Sequence, residues 1–365
     1  MKAEVVYFHA YDIAQEADLK SIEVAMREPL EPFRFGRLKD SPMGFPVYRP
    51  LSVQMQEITE ETDGEVIRLL PSVKIFSVGA LSVKIRIPVN CGSVGELLRY
   101  RRLVFADGGM LQDRADQIAR RVFERIRAGL DTPVESLSGP EVYTVYCVET
   151  PLEQEDSGAW LESHRREVAG LLAGEARASI LSLQEVGETL QHSYAYYGND
   201  LVVVDWDASL VLDKPGEFSD TLYVMELASV QLGQWRAYDQ MLDRALDKAY
   251  DDVERAAKVH ALGARSRVLK ELRGIRMDIT KMADELSNIS KFFGDWHLAR
   301  VYMGCAERFH LGKWEDSVIQ KLRTLDSLYT MLQQDSNNRL MLILEASIVA
   351  LFIVDLVLIA LLGNG

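Results

Sequence analysis

The chain has 365 residues, 48% hydrophobic and 26% charged, and its 41 basic and 55 acidic side chains give a net charge of −14. This apolar fraction excludes a disordered chain, and the length favours more than one folded unit. The acidic balance argues against sequence-blind binding of nucleic acid, which depends on neutralising phosphates.

The first 135 residues predict a strand, a helix, a hairpin and a second helix, in that order. The elements are a strand at 5–8, a helix at 18–27, a hairpin of strands 73–78 and 81–89 around Gly79, and helical sequence at 94–126. Alternating apolar and polar residues in the second hairpin strand are typical of a half-buried strand. We therefore assign residues 1–135 to a first βαββα unit.

The same order of elements recurs over residues 136–219. The elements are a strand at 142–146, a helix at 160–172, a hairpin of strands 193–197 and 201–206, and a helix that begins near residue 220. The repetition predicts an α+β protein built from tandem βαββα, ferredoxin-like units. The last helix of the second unit is expected to continue into the region that follows.

Residues 220–338 carry no strand pattern and predict a helical bundle with coiled-coil character. Apolar side chains recur there with alternating spacings of three and four, at Val268, Leu272, Ile275, Ile279, Met282, Leu286 and Ile289. This spacing keeps one stripe of a helix turned toward a partner helix. It favours a homo-oligomer.

The C-terminal residues 339–365 predict a transmembrane tail anchor. In the 23 residues at 340–362 only Glu345, Ser347 and Asp355 are polar, and a helix of that length spans ~34 Å. Basic residues precede the stretch and none follows it, which predicts a single pass through the inner, cytoplasmic membrane with the N-terminal bulk in the cytoplasm. The alternative is a helix buried in the core of a water-soluble protein.

Two acidic and two small residues of this stretch are candidate membrane or oligomer contacts. Glu345 and Asp355 are costly in hydrocarbon and would need a partner or water. Ala346 and Ala350 form a small-x-x-x-small face that permits close approach of a second helix. We expect self-association, or docking on another membrane protein, to involve these four residues.

An acidic series on the first long helix is a weak candidate for a metal site. Asp239, Asp243, Asp247 and Asp251 recur every four residues, so they lie along one side of a helix. Divalent cations bind clustered carboxylates. The competing interpretation is a solvated surface with local ion pairs.

Basic residues after the first hairpin predict a surface for anionic lipid. They are Arg99, Arg101, Arg102, Arg120 and Arg121. Lipid headgroups and RNA are both attracted to such a patch, but aromatic side chains for base stacking are sparse there. An ordinary charged helix surface is the alternative.

The motifs of the common enzyme classes are missing from the sequence. It contains no Walker A, G-x-G-x-x-G, H-E-x-x-H or G-x-S-x-G pattern, and Cys91, Cys147 and Cys305 have no zinc spacing. We therefore expect no catalytic residues and no cofactor.

Four segments together resemble the "required for meiotic nuclear division" family of membrane proteins. They are AYDIAQEADLKSIE at 10–23, LYVMELASVQLGQWRAYDQMLD at 222–243, KFFGDWHLARVY at 291–302, and the closing helix at 318–356. The hairpin YYGNDLVVVDW at 196–206 departs from the family pattern, as in a divergent bacterial-type member. The resemblance implies membrane anchoring, and for eukaryotic members a link to organellar translation, but no catalytic residues.

These observations predict a membrane-anchored, oligomeric scaffold or assembly factor without a catalytic site. Its expected partners are the membrane and a second copy or another membrane protein, and no nucleic acid. One alternative is an ion-conducting or transport assembly with a pore lined by Asp355. A second alternative is an enzyme of unrecognised type that acts at the membrane surface.

Overall fold

A computed structural model describes residues 1–26, 31–32, 50–149, 156–258, 277 and 296–362. The strands are β1 (Lys2–Asp12), β2 (Ala14–Ala17), β3 (Glu31–Pro32), β4 (Leu51–Gln54), β5 (Ile58–Thr62), β6 (Glu65–Phe76), β7 (Ala80–Asn90), β8 (Leu130–Pro133), β9 (Glu141–Glu149), β10 (His192–Tyr194), β11 (Leu201–Val204) and β12 (Ala208–Asp213). The helices are α1 (Leu19–Ala25), α2 (Leu111–Ile126), α3 (Ser157–Ala173), α4 (Leu183–Thr189), α5 (Ser219–Lys258), α6 (Trp296–Arg308) and α7 (Leu311–Leu362).

Ten of the described strands form one mixed sheet with β1 in its middle. The order is β10-β11-β12-β9-β1-β7-β6-β4-β3, and β5 pairs with β6 beside this path. β1 is antiparallel to both neighbours, β7 and β9, whereas β12 is parallel to β9. The α+β class is therefore confirmed, and β1 joins the strands of residues 31–90 to those of residues 141–213 in a single sheet.

Both faces of the middle of this sheet are covered. Successive side chains of a strand point to opposite faces, and Val5 and Tyr7 of β1 belong to a buried core with side chains of α2 and α3. Ala10 points to the other face, where a Cβ built on Gly233 of α5 would lie 3.7 Å from the Cβ of Ala10. Burial on both faces explains why β1 is apolar at every position from Val5 to Tyr11 except His9.

The helix predicted over residues 94–126 is two elements. A 3-10 helix, Gly95–Arg101, comes first, and α2 begins only at Leu111. Between them Gly108 has a φ of 80°, a conformation that glycine adopts without strain, and Val104 bridges to Met110. The turn thus interrupts the helix that the sequence pattern predicted.

The chain divides into two compact units. The first contains Met1–Ala237 and Lys281–Glu315, and the second contains Tyr238–Thr280 and Asp316–Gly365. In the second unit, the Lys321 ammonium of α7 lies 2.7 Å from Asp239 and 2.6 Å from Asp243 of α5. The division predicted from the sequence stays a prediction, and the apolar series at 268–289 lies outside the described residues.

The prediction of a transmembrane tail anchor at residues 339–365 was wrong. Among the residues that the structure describes, no helix is both long and apolar enough to cross a membrane. The stretch that we assigned to the anchor is the C-terminal part of α7, in which Glu345 and Asp355 interrupt the apolar residues, and carboxylates are costly in hydrocarbon. The prediction of a single-pass location in the inner membrane depended on this anchor and was therefore also wrong.

Candidate functional site

A buried ion pair joins the sheet to α5. The ammonium of Lys74, on β6, lies 2.5 Å from a carboxylate oxygen of Glu226, and the two side chains are 3% and 0% exposed. The aromatic ring of Tyr223, one turn earlier on α5, lies 4.6 Å from the same ammonium. Charged side chains are almost never this deeply buried unless they are paired.

The local structure explains why these residues meet. Lys74 is directly opposite Ser82 in the β6–β7 ladder, and its side chain points to the face of the sheet that α5 covers. Gly233 lets α5 approach β1 closely, and the Gln234 amide donates to the Val78 carbonyl at 2.8 Å. These contacts hold one side of α5 against β1, β6 and β7, with Glu226 above Lys74.

Burial controls the electrostatics of this pair. It lowers the pKa of Lys74 to about 8, against the opposing effect of the Glu226 carboxylate. The hydroxyl oxygens of Ser82 and Ser229 and the second carboxylate oxygen of Glu226 are buried without a hydrogen-bond partner in the described part of the chain. The pair is thus a charged group inside the fold whose polar surroundings are only partly hydrogen-bonded by the protein.

A second buried ion pair fixes α6 to the loop between β11 and β12. The Arg308 guanidinium donates through Nε to Asp205 Oδ1 at 2.7 Å, and its carbon lies 5.3 Å from the centre of the Trp206 ring. The His310 ring meets the same indole edge-on at 4.6 Å. Trp206 itself is 48% exposed, so the cluster ends at the surface.

Among the residues that the structure describes, the largest set of exposed apolar side chains lies on α7. We call residues 341–355 the apolar segment. Its large apolar side chains that the structure describes are each 49–68% exposed: Met341, Leu342, Leu344, Ile348, Val349, Leu351, Phe352, Ile353 and Val354. Exposed apolar surface of this extent marks an interaction site.

The four candidate contact residues belong to this segment. Glu345, Ala346, Ala350 and Asp355 are all exposed on α7. Their position on the helix is compatible with contacts to another molecule, and their roles stay a prediction.

The acidic series does not form a metal cluster in the described structure. Asp239 and Asp243 share the Lys321 ammonium, while Asp247 and Asp251 are exposed farther along α5. Within the described ranges, no three His, Cys, Asp or Glu side chains are placed to hold a metal ion. The ion pair to α7 explains the first half of the series without a ligand.

The five arginines of the predicted basic patch have different environments. Arg99 donates to the Tyr100 hydroxyl at 2.6 Å, and Arg101 donates to the Leu172 carbonyl near the end of α3 at 2.7 Å. Arg102, Arg120 and Arg121 are exposed. The five arginines lie on or directly after the 3-10 helix and on α2, and their role as a surface for anionic lipid stays a prediction.

Lys74 and Glu226 were not among the candidate site residues predicted from the sequence. A usable signal existed, because each is the one charged residue in an apolar stretch, LLPSVKIF at 69–76 and LYVMELASV at 222–230. Charged residues in such stretches are either buried and paired or mark a solvated face. Only the strand register and the path of α5 show that these two residues meet.

Comparisons with known proteins identify relatives of the first part of the chain. The family model described as "Uncharacterized protein MJ0711, N-terminal domain" matches residues 2–219. The chain is similar to "Uncharacterized protein MJ0711" of Methanocaldococcus jannaschii, with 26% identity over 218 residues, 60% of this chain and 65% of the relative. The chain thus matches less than two thirds of that protein's length, and no solved structure matches it.

These matches correct the resemblance stated from the sequence. The predicted membership in the meiotic nuclear division family was wrong, because the family model that matches this chain is a different one. Three of the four segments that carried the resemblance lie after residue 219, outside the matched region. Long apolar helices of unrelated proteins share such degenerate patterns, because few residue types satisfy the same spacing.

Proposed function

The chain belongs to the family defined by the MJ0711 N-terminal domain, and we propose that it is a scaffold that associates with itself and has no catalytic centre. The observation that carries the proposal is the apolar segment of α7. Association of this segment would bring several copies of the α/β unit together. Neither the ion-conducting alternative nor the enzyme alternative has an observation in its favour among the described residues.

The apolar segment is exposed around its whole circumference. Four consecutive residues, Leu351 to Val354, are all at least half exposed, and at 100° per residue they cover about 300° of the helix. A soluble monomer rarely leaves so large an apolar surface in water. The segment therefore needs a partner that covers a large part of its apolar surface.

A second copy of this chain fits that need. The partner must supply an equally apolar helix surface, and each copy carries one. Ala346 and Ala350 permit close approach of a helix on one side. Glu345 and Asp355 lie about 80° apart on the helical wheel, and the middle of that sector is roughly opposite Ala350. The alanine side can thus be buried against a second copy while both carboxylates stay in water.

The test compares a charge placed on each side of the helix. Val354 lies on the alanine side, and Ile348 lies between the two acids. In the purified full-length chain, Val354→Lys should weaken association by at least about tenfold, because it buries a charge in the interface. Sedimentation equilibrium over a range of concentrations measures this change.

The matched control is Ile348→Lys, which adds the same charge on the acidic side and should change the dissociation constant by less than about threefold. A wild-type chain that stays monomeric at all concentrations would remove the proposal. Equal weakening by both variants would keep self-association and contradict the assignment of the face.

We also propose that the two halves of the sheet are tandem βαββα units. The order β1, α1, β6, β7, α2 in the first half corresponds to β9, α3, β11, β12, α5 in the second. In the second half, β12 lies between β11 and β9 as the third strand of a ferredoxin-like unit would, but it is parallel to β9, whereas the first and third strands of such a unit are antiparallel. The first half fits this arrangement better, because β7 lies between β6 and β1 and is antiparallel to both, although the strands β3, β4 and β5 are inserted.

A further inference from the structure

Three buried oxygen atoms belong to Glu226, to Ser82 opposite Lys74 in the β6–β7 ladder, and to Ser229 one turn after Glu226 on α5. Within the described chain, Glu226 Oε1, Ser82 Oγ and Ser229 Oγ have no hydrogen-bond partner, and all three residues are at most 1% exposed. Buried polar atoms in native proteins are nearly always hydrogen-bonded, to protein or to ordered water. Three such atoms beside one ion pair point to a bound molecule.

The fold brings the three oxygens to one place. Ser82 lies opposite Lys74 on β7, and Ser229 follows Glu226 by one turn of α5. One turn farther on, Gly233 reaches Ala10, which is the residue opposite Ser82 on β1. Because α5 crosses from Lys74 on β6 to Ala10 on β1, Ser229 lies above β7, where Ser82 is located.

The chemistry of the site selects its ligand. The Lys74 ammonium disfavours a metal cation, and the Glu226 carboxylate disfavours an anion. The burial of every group excludes anything much larger than a water molecule, and only a neutral molecule with both donors and acceptors satisfies all three oxygens. We infer that ordered water is bound between α5 and β7, at the Lys74–Glu226 pair.

Each group has a definite role in this site. The water donates to Glu226 Oε1, the carboxylate oxygen that Lys74 leaves free. It accepts hydrogen bonds from the hydroxyls of both Ser82 and Ser229, and so joins the two residues. The water thereby satisfies the second carboxylate oxygen of Glu226 and strengthens the attachment of α5 to the sheet.

Removing the serine hydroxyls tests the inference. If water is bound, Ser82→Ala and Ser229→Ala should each raise the unfolding equilibrium constant about tenfold, because each variant takes away a partner of the water. The two effects should also be non-additive, because the water joins both residues. Urea unfolding of the full-length single and double variants at pH 7 measures both quantities.

The opposite results overturn the inference. An unpartnered buried hydroxyl destabilises the folded state, so without water its removal should leave stability unchanged or raise it. Additive losses would show that the two serines act separately, which also contradicts a shared water. A crystal structure at a resolution that shows ordered solvent gives an independent readout, with density expected within hydrogen-bond distance of Glu226 Oε1.

Discussion

Replacing Lys74 by methionine is expected to lower the free energy of unfolding by about 3–5 kcal/mol, because the Glu226 carboxylate would be left buried without its counter-charge. Methionine keeps much of the length and volume of the side chain, so little of this loss arises from a cavity. The loss should appear at pH 7, below the pKa of about 8 to which burial lowers Lys74. Urea unfolding followed by circular dichroism measures it.

Two further variants separate the charge effect from packing. Lys74→Met combined with Glu226→Leu replaces the whole pair by apolar side chains and should recover most of the loss. Arg165→Met removes a surface pair with Glu162, whose side chains are 43% and 66% exposed, and should cost less than about 1 kcal/mol. A Lys74→Met loss as small as the Arg165→Met loss would contradict a buried, charged pair.

The second large expected effect is a loss of folding stability at acidic pH, caused by the buried side chain of His9. Burial lowers the pKa of His9, on β1, from 6.5 to about 4. The unfolded chain therefore takes up the proton first as the pH falls. The stability that neutral His9 contributes is fully present above pH 6.5 and is lost between pH 6.5 and 4, by about 3 kcal/mol in total.

His9→Phe should remove this acid loss, since phenylalanine has a similar ring and no proton to bind. The measurement is the difference in unfolding free energy between wild type and variant, taken by urea titration at several pH values from 7.5 to 4. This difference should change by about 3 kcal/mol across the window. A difference that does not vary with pH would show that His9 is not buried as a neutral ring.

Asp12, at the end of the same strand, provides a control of opposite sign. Burial raises its pKa from 3.8 to about 7. The unfolded state holds its proton less tightly than the folded state, so the Asp12 contribution is present below pH 3.8 and is lost as the pH rises through 7. Asp12→Asn should therefore raise stability most at alkaline pH and change it little near pH 4.

The sequence predicted the strongest strands well and the weaker elements poorly. β1, β7 and β9 are confirmed, because long apolar runs give a clear strand pattern. The short strands β3, β4 and β5 were missed, because their conformation depends on pairing with neighbours rather than on their own composition. The helix break near Gly108 was missed, because charged residues on both sides continue the helical pattern.

The buried polar groups were the least predictable feature. Lys74 and Glu226 are 152 residues apart in sequence. The residues around each of them contain no signal that predicts their pairing. The opposite error concerned the end of the chain, where apolar composition alone was taken as a membrane signal. In both cases the outcome depends on which residues are neighbours in three dimensions. Residue spacing within one element does not reveal those neighbours.

The central position of β1 also bears on how the protein folds. β1 precedes both of its neighbours in the chain, and Val6 pairs with Arg86 on one side and Val145 on the other. Contacts between such distant residues require large loops to close before any pairing is gained, and proteins dominated by them fold in milliseconds to seconds. During synthesis, β1 is made before β7 and β9 and stays unpaired until they are complete. A chaperone that shields this apolar strand would therefore raise the yield of native protein.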